Sequence, residues 1–236
     1  MSYFHHALTR QDKQGNGFVT EADLACEEFL KRELAQIEPE AGFFAEESGV
    51  SGNHELQWVI DPLDGTTNFA QGVPYFCISV ALAHQGRPVW AAVYNPVTRE
   101  LFHAAEGAGA FKNGERISVS AVRNFDDAVL VFGVPYQKNE PFRQVMHDVD
   151  RLSTKVSTIR CYGAVALDQA YLAAGAIDAL IFRDLGWWDI AAGTLLISQA
   201  GGKASQNDGS ELDQHYRTFM ASNGFLYDQL ARELNS

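Results

Sequence analysis

Trp58-Val59-Ile60-Asp61-Pro62-Leu63-Asp64-Gly65-Thr66-Thr67-Asn68-Phe69 is the stretch from which the rest of the chain can be placed. Trp58-Val59-Ile60 reads as an apolar strand that runs directly into a turn carrying Asp61 and Asp64, so two carboxylates are delivered at a strand's carboxyl end, where open α/β sheets bind ligands. Pro62 fixes its own φ and steers Asp61 away from helix, which stiffens the turn and lets the two acids converge. Turn chemistry alone gives no reason for this arrangement: two carboxylates about 4 Å apart repel by about 4 kcal/mol at an effective dielectric of about 20. A stiff pair of acids suits a hard cation, and the Leu63 carbonyl between them is a further hard oxygen ligand.

Gly65-Thr66-Thr67 can open a short helix, whose free N–H groups and positive dipole end favour a phosphate. Thr66 has two readings here, a helix N-cap or a hydroxyl that orients an attacking water, and taken alone the N-cap is the commoner. Upstream, the apolar pair Phe43-Phe44 looks like a strand, with the adjacent acids Glu46-Glu47 just after it, and alternation along a strand allows at most one of them to face a cleft. Taken singly, each glutamate reads as part of a solvated loop. Asp189, after Trp187-Trp188, sits at the start of a helix, where a carboxylate caps N–H groups without any chemistry.

Thr20 and Asp23 form a capping box for a helix with Leu24, Phe29, Leu30, Leu34 and Ile37 on its apolar face, ended by Pro39. Leu56–Ile60, Cys77–His84, Val89–Tyr94 and Leu101–Ala105 read as strands, which makes residues 1–123 a helix on a largely antiparallel sheet. From 124 to 236 strands and helices alternate: strand Ala128–Phe132, helix Phe142–Leu152, strand Val156–Ile159, helix Ala164–Ala174, strand Ile177–Phe182 and helix Asp189–Ala200, stopped by Gly201-Gly202. The second half is therefore expected to be a mixed sheet covered by helices.

With 236 residues, 46% of them hydrophobic, the chain can bury a large core. It has no apolar run near the roughly 20 residues that span a bilayer. Its amino terminus lacks a basic region followed by an apolar stretch, so no secretory signal is read and the cytoplasm is the expected compartment. The three cysteines, Cys26, Cys77 and Cys161, suit neither a disulfide framework nor a thiolate metal site and are expected to be buried free thiols. A formal charge of −12 opposes nucleic acid as substrate, whereas bound divalent cations can reverse the field locally and admit a small anion.

Val19-Thr20-Glu21-Ala22-Asp23, Glu46-Glu47-Ser48, the string from Trp58 to Phe69, and Trp188-Asp189-Ile190-Ala191-Ala192-Gly193 together resemble the motifs of the inositol monophosphatase family, relatives of the fructose-1,6-bisphosphatases among lithium-sensitive phosphatases. Asn95-Pro96, Gly107-Ala108-Gly109-Ala110-Phe111, Asn113-Gly114 and Ala200-Gly201-Gly202 extend the resemblance over most of the chain. It implies an α+β, α/β layered αβαβα sandwich, with the family's first helix largely missing and Tyr3-Phe4 similar to its last turn.

The resemblance further implies a phosphomonoesterase that needs two to three Mg²⁺ per subunit, with Mn²⁺ as a substitute, and acts on a small phosphorylated substrate as a homodimer. Glu46, Asp61 and the Leu63 carbonyl would hold one ion, and Asp61, Asp64 and Asp189 a second. Thr66, hydrogen-bonded to Asp23, would orient the attacking water, with Glu46 beside it. Substrate would meet Asp64, Gly65, Thr66, Gly163, Ala164 and Asp189. Two positions depart from the pattern. Phe182 stands where inositol-specific members carry a glutamate, and Ala164 lacks the hydroxyl common at its place. Arg183 and Asp184 are read either as solvated loop residues or as contacts for a different sugar or a second anion. Lys13 matches a family lysine only with an offset of one residue and is left out of the catalytic set.

Overall fold

The computed structural model describes residues 1, 3–4, 9–13, 17–216 and 218–235. An antiparallel pair, β1 (Arg10–Asp12) and β2 (Phe18–Thr20), leads into α1 (Glu21–Ile37). Next come β3 (Gly42–Ala45), β4 (Gly49–Ser51), β5 (Leu56–Asp64) and the short α2 (Thr66–Gln71). A meander of β6 (Cys77–His84), β7 (Arg87–Asn95), β8 (Glu100–Ala105), β9 (Gly109–Lys112) and β10 (Glu115–Ile117) completes the first sheet. The rest runs β11 (Val129–Phe132), α3 (Glu140–Ser153), β12 (Thr158–Arg160), α4 (Val165–Ala173), β13 (Ala179–Arg183), α5 (Trp187–Gln199), β14 (Lys203–Ser205), β15 (Thr218–Ser222) and α6 (Tyr227–Leu234).

The first sheet has eight strands in the order β10-β9-β8-β7-β6-β5-β3-β4, antiparallel except where β3 pairs with β5. The second has five in the order β12-β11-β13-β15-β14, with β12, β11 and β13 parallel. Alternation along β5 feeds two cores. Trp58 and Ile60 pack with Leu34 of α1, while Val59 turns to the opposite core with Leu167 of α4 and Ile190 and Leu196 of α5. Leu180 and Phe182 of β13 close that middle core from the other side, and Leu130 and Ile181 pack outward with Leu152 of α3 and Leu230 of α6. The layers therefore run α1, first sheet, α4 with α5, second sheet, α3 with α6, the expected αβαβα sandwich. Among the described residues no helix is long and apolar enough to cross a membrane.

Two expectations fail on burial. In α1 the inward face is Asp23, Glu27, Leu30 and Leu34, whereas Leu24, Phe29 and Ile37 of the expected apolar face are exposed. The helix turns this way because its acids hydrogen-bond inward, Asp23 to Thr20 and Thr66 and Glu27 to the Glu47 N–H, and that outweighs the hydrophobic stripe. The cysteines are all free, but only Cys77 is buried: Cys26 is half-buried and Cys161 exposed.

Candidate metal centre

Strand β5 extends past Ile60 to Asp64, and its irregularity brings the carboxylates together. Against β6, Asp61 pairs with Ser79 and Asp64 with Cys77, so three steps on β5 match two on β6. In a regular strand, residues three apart face opposite sides. The extra residue at Pro62-Leu63, where proline has no N–H for the ladder, returns Asp64 to the side of Asp61. The Leu63 N–H then donates to Asp61 Oδ1 at 3.0 Å and fixes the turn.

Asp189 arrives from the first turn of α5, where its Oδ2 accepts the Gly186 N–H at 2.6 Å in the capping role read from sequence. One carboxylate oxygen from each of Asp61, Asp64 and Asp189 lies within 4.8 Å of the others. Asp64 is also held from the far side of the molecule. It accepts the N–H groups of Val165, Ala166 and Leu167 at 2.9, 2.7 and 3.3 Å and faces the Cys77 thiol at 3.4 Å. It thus caps α4, whose own N-cap, Ala164, has no side-chain acceptor.

Burial is the main force raising these carboxyls. It lifts Asp61 well above the usual range, helped by the charges of Glu46, Asp64 and Asp189. Burial, then Glu46 and Asp64, do the same to Asp189. Asp64 is pushed up to about 6 by burial, against the pull of the N–H groups on it. Carboxyls crowded in this way repel one another, and a divalent cation would offset that repulsion. The cluster fits a hard ion, since its donors are carboxylate oxygens with no imidazole among them.

Asp23 is wholly buried and bridges two elements. Its Oδ2 accepts the Thr20 N–H and hydroxyl at 2.9 and 2.5 Å, and its Oδ1 faces the Thr66 hydroxyl at 3.1 Å. The same Thr66 hydroxyl lies 3.1 Å from the Leu63 carbonyl, which keeps a second lone pair for a ligand. Thr66 is not the N-cap of α2. That place belongs to Gly65, at φ 90°, where a Cβ would come within 3.1 Å of the Tyr75 carbonyl oxygen. With the capping duty on glycine, the Thr66 hydroxyl is left on the acid side.

Glu46 and Glu47 follow β3 in a turn, so strand alternation does not separate them, and both reach one cation. Lys13 Nζ lies 2.7 Å from Glu46 and 2.6 Å from Glu47. Neither glutamate is a solvated loop residue. The Glu47 N–H donates to Glu27 of α1 at 2.9 Å, and Glu46 lies close enough to Asp61 to hydrogen-bond it. Burial works to lower the Lys13 pKa, but Glu46 and Glu47 raise it further, so the ammonium stays charged; Glu47 is pushed up to about 7, chiefly by burial. Lys13 is the site residue that sequence reading leaves out. Its one signal is the family lysine one position away, and its partners lie more than 30 residues along the chain.

The segments expected to meet substrate fare differently. Gly163, at φ 83°, sits where a Cβ would come within 3.3 Å of the Asn68 side chain, and Asn68 binds the carbonyls of Tyr75 and Tyr162 at 2.8 and 2.7 Å. Ala164 is wholly buried beside Gly65, so its side chain is closed off from a ligand. Phe182 is packed on Phe219 inside the middle core. Arg183 is neither solvated nor open to an anion, because its guanidinium pairs with buried Asp148 of α3 at 2.6 Å. Asp184 is exposed.

The chain matches the inositol monophosphatase family over residues 1–236. It is 40% identical over 224 residues to the inositol-1-monophosphatase of Caulobacter vibrioides, which covers 93% of this chain and 88% of the relative. It is 39% identical over 205 residues to the protein named Nus factor SuhB in Escherichia coli K12, covering 86% of this chain and 77% of that one. Among solved structures, the extragenic suppressor protein suhB of Bartonella henselae superposes with a TM-score of 0.92 at 36% identity, over 97% of this chain and 89% of the other.

Proposed function

The chain belongs to the inositol monophosphatase family, and on that premise we propose that it hydrolyses a phosphate monoester of a sugar or polyol with the help of Mg²⁺. The observation that carries this reading is the convergence of Asp61, Asp64 and Asp189 within 4.8 Å at the end of β5. In this reading Glu46, Asp61 and the Leu63 carbonyl would hold one divalent ion, and Asp61, Asp64 and Asp189 would hold a second. When bound, such ions lower the pKa of a coordinated water and neutralise charge on the departing alkoxide.

The protein's own groups do the rest. The Thr66 hydroxyl, held by Asp23 at 3.1 Å, orients the attacking water along the line opposite the ester oxygen. The N–H groups of Gly65 and Thr66 at the start of α2 bind the phosphate oxygens, and Asp64 and Asp189 flank them. Lys13 neutralises Glu46 and Glu47 on the open side, so that the site is acidic enough for cations without repelling the phosphate. Gly163 lets the chain pass close to Asn68 beside the substrate. The enzyme works as a homodimer, and millimolar Li⁺ inhibits it.

Phosphate release from a panel of sugar and polyol phosphates, with and without Mg²⁺, tests the reading. Activity is expected only with the metal, and equal rates after chelation would sink the proposal. Sedimentation checks the dimer. A nucleotide or bisphosphate as substrate gains no support from Arg183, whose guanidinium is engaged by Asp148. The second reading is a family member that works by binding a partner, favoured by the relatives named Nus factor SuhB. Calorimetry detecting no Mg²⁺ binding, together with a stable partner in pull-downs, would replace hydrolysis with that role.

A further inference from the structure

The positions that the family pattern assigns to the alcohol half of a substrate offer this chain little. Ala164 is buried, Phe182 lies in the core and Arg183 is paired. Recognition of the alcohol must then come from another part of the rim. The first turn of α2 presents two hydroxyls in different settings: Thr66 is buried against Asp23, and Thr67, one residue on, is exposed. Both hydroxyls stand at the start of α2, and the outer one, on Thr67, is on the solvent side.

Tyr136 meets Thr67 there. It belongs to the connection between β11 and α3, so it crosses from the second sheet to the first half of the chain, and buried Pro135 fixes its approach. Its hydroxyl lies 3.2 Å from Thr67 Oγ1, and its ring rests on Gly17, where a Cβ would come within 3.0 Å of Cε2 and Cζ. An aromatic residue held at both ends nevertheless leaves 57% of its surface open. Its hydroxyl stays a neutral donor, since desolvation first, and then the charges of Glu46, Asp64 and Asp189, raise its pKa against the effect of Thr67.

We infer that Tyr136 is a substrate-positioning residue: with Thr67 it presents a pair of hydroxyls at the rim of the site to the alcohol half of a hydroxyl-rich phosphate ester. The inference rests on the hydrolytic reading above and adds where the alcohol is recognised. The test uses the full chain at saturating Mg²⁺ with two esters, an inositol monophosphate and phenyl phosphate, the second having no alcohol hydroxyls to bind. Tyr136→Phe and Thr67→Val are each expected to raise KM for the inositol ester about five-fold, the worth of one neutral hydrogen bond, with kcat within about two-fold. The double variant should do no worse than the poorer single one, because the hydroxyls act as a pair.

Phenyl phosphate should show no change in KM, and melting temperatures should match the parent. Tyr136→Ala, which also removes the ring, should extend the loss for the inositol ester alone. Equal losses on both esters, or no loss on either, overturn the inference while leaving hydrolysis intact. A parent protein inactive on both esters overturns the hydrolytic reading and this inference with it.

Discussion

On the acid side of the cleft each carboxyl is tied in place: Asp61 by the Leu63 N–H, Asp64 by three N–H groups of α4, Asp189 by the Gly186 N–H, and Asp23 by Thr20. Across the cleft the matching positions are packed away, with Ala164 and Phe182 buried and Arg183 locked to Asp148. The two sides differ because they answer different demands. Holding like charges together in a buried site needs rigid partners for each one, whereas recognition of an alcohol needs only some donors at the rim and can shift from one segment to another. On the proposed reading the ion site is set where β5 meets α5, while recognition of the alcohol is free to move between segments.

The largest test of that contrast is Asp61→Asn. Mg²⁺-dependent phosphate release should fall by at least about 100-fold, since the shared ligand is lost. The chelated variant should nonetheless melt higher than the parent, by about 2 to 4 °C for each kcal/mol of repulsion relieved, as calorimetry would read. A variant that lost both activity and stability would place Asp61 among the structural acids instead. Thr66→Ala comes next. With its water-orienting hydroxyl gone, kcat should drop by about 100-fold, and Thr66→Ser should recover most of it; unchanged kcat in the alanine variant would remove Thr66 from the reaction.

A pH series is the third. An unfolded aspartate loses its proton near pH 4, about 3.9, whereas folded Asp64 keeps it up to about 6 and Asp61 and Asp189 are raised as well. Protonated carboxyls thus stabilise the chelated protein fully below pH 4, and that contribution is lost as pH rises through about 6. Thermal melts between pH 5 and pH 8 should show the chelated protein weakening, with Mg²⁺ reversing the loss most at pH 8. A flat profile would mean the acids are not mutually destabilising. The smallest effect belongs to the other side. Arg183→Met should leave KM for sugar phosphates within about two-fold and cost about 1 to 3 kcal/mol in urea unfolding, because Asp148 keeps Arg151 as a partner. A large rise in KM would return Arg183 to the substrate.

What could be read in advance divides along similar lines. The β5 string was legible because its chemistry is local: proline removes a ladder N–H, the ladder skips a residue, and two acids meet. The capping box of Thr20 with Asp23 and the Asp189 carboxyl capping the start of α5 are equally local and appear at the helices expected. The face of α1 was misread, because periodicity assumes that apolar side chains go inside, and this helix buries Asp23 and Glu27 to serve the site. Lys13 was missed, and Glu46 with Glu47 misjudged, for a different reason: their meeting depends on β1, β3 and α1 coming together, which no spacing encodes. Short strands such as β14 and β15, paired only with β13 and each other, carry too little alternation to announce themselves.

The grip of Asp64 on α4, across about a hundred residues of chain, has a consequence for how the protein could be taken apart. Two fragments cut between the sheets would divide one carboxylate from the helix it caps and Asp189 from its neighbours. Neither piece would own a complete ion site, so cation uptake would work as a readout of fragment complementation, registering only when the halves reunite.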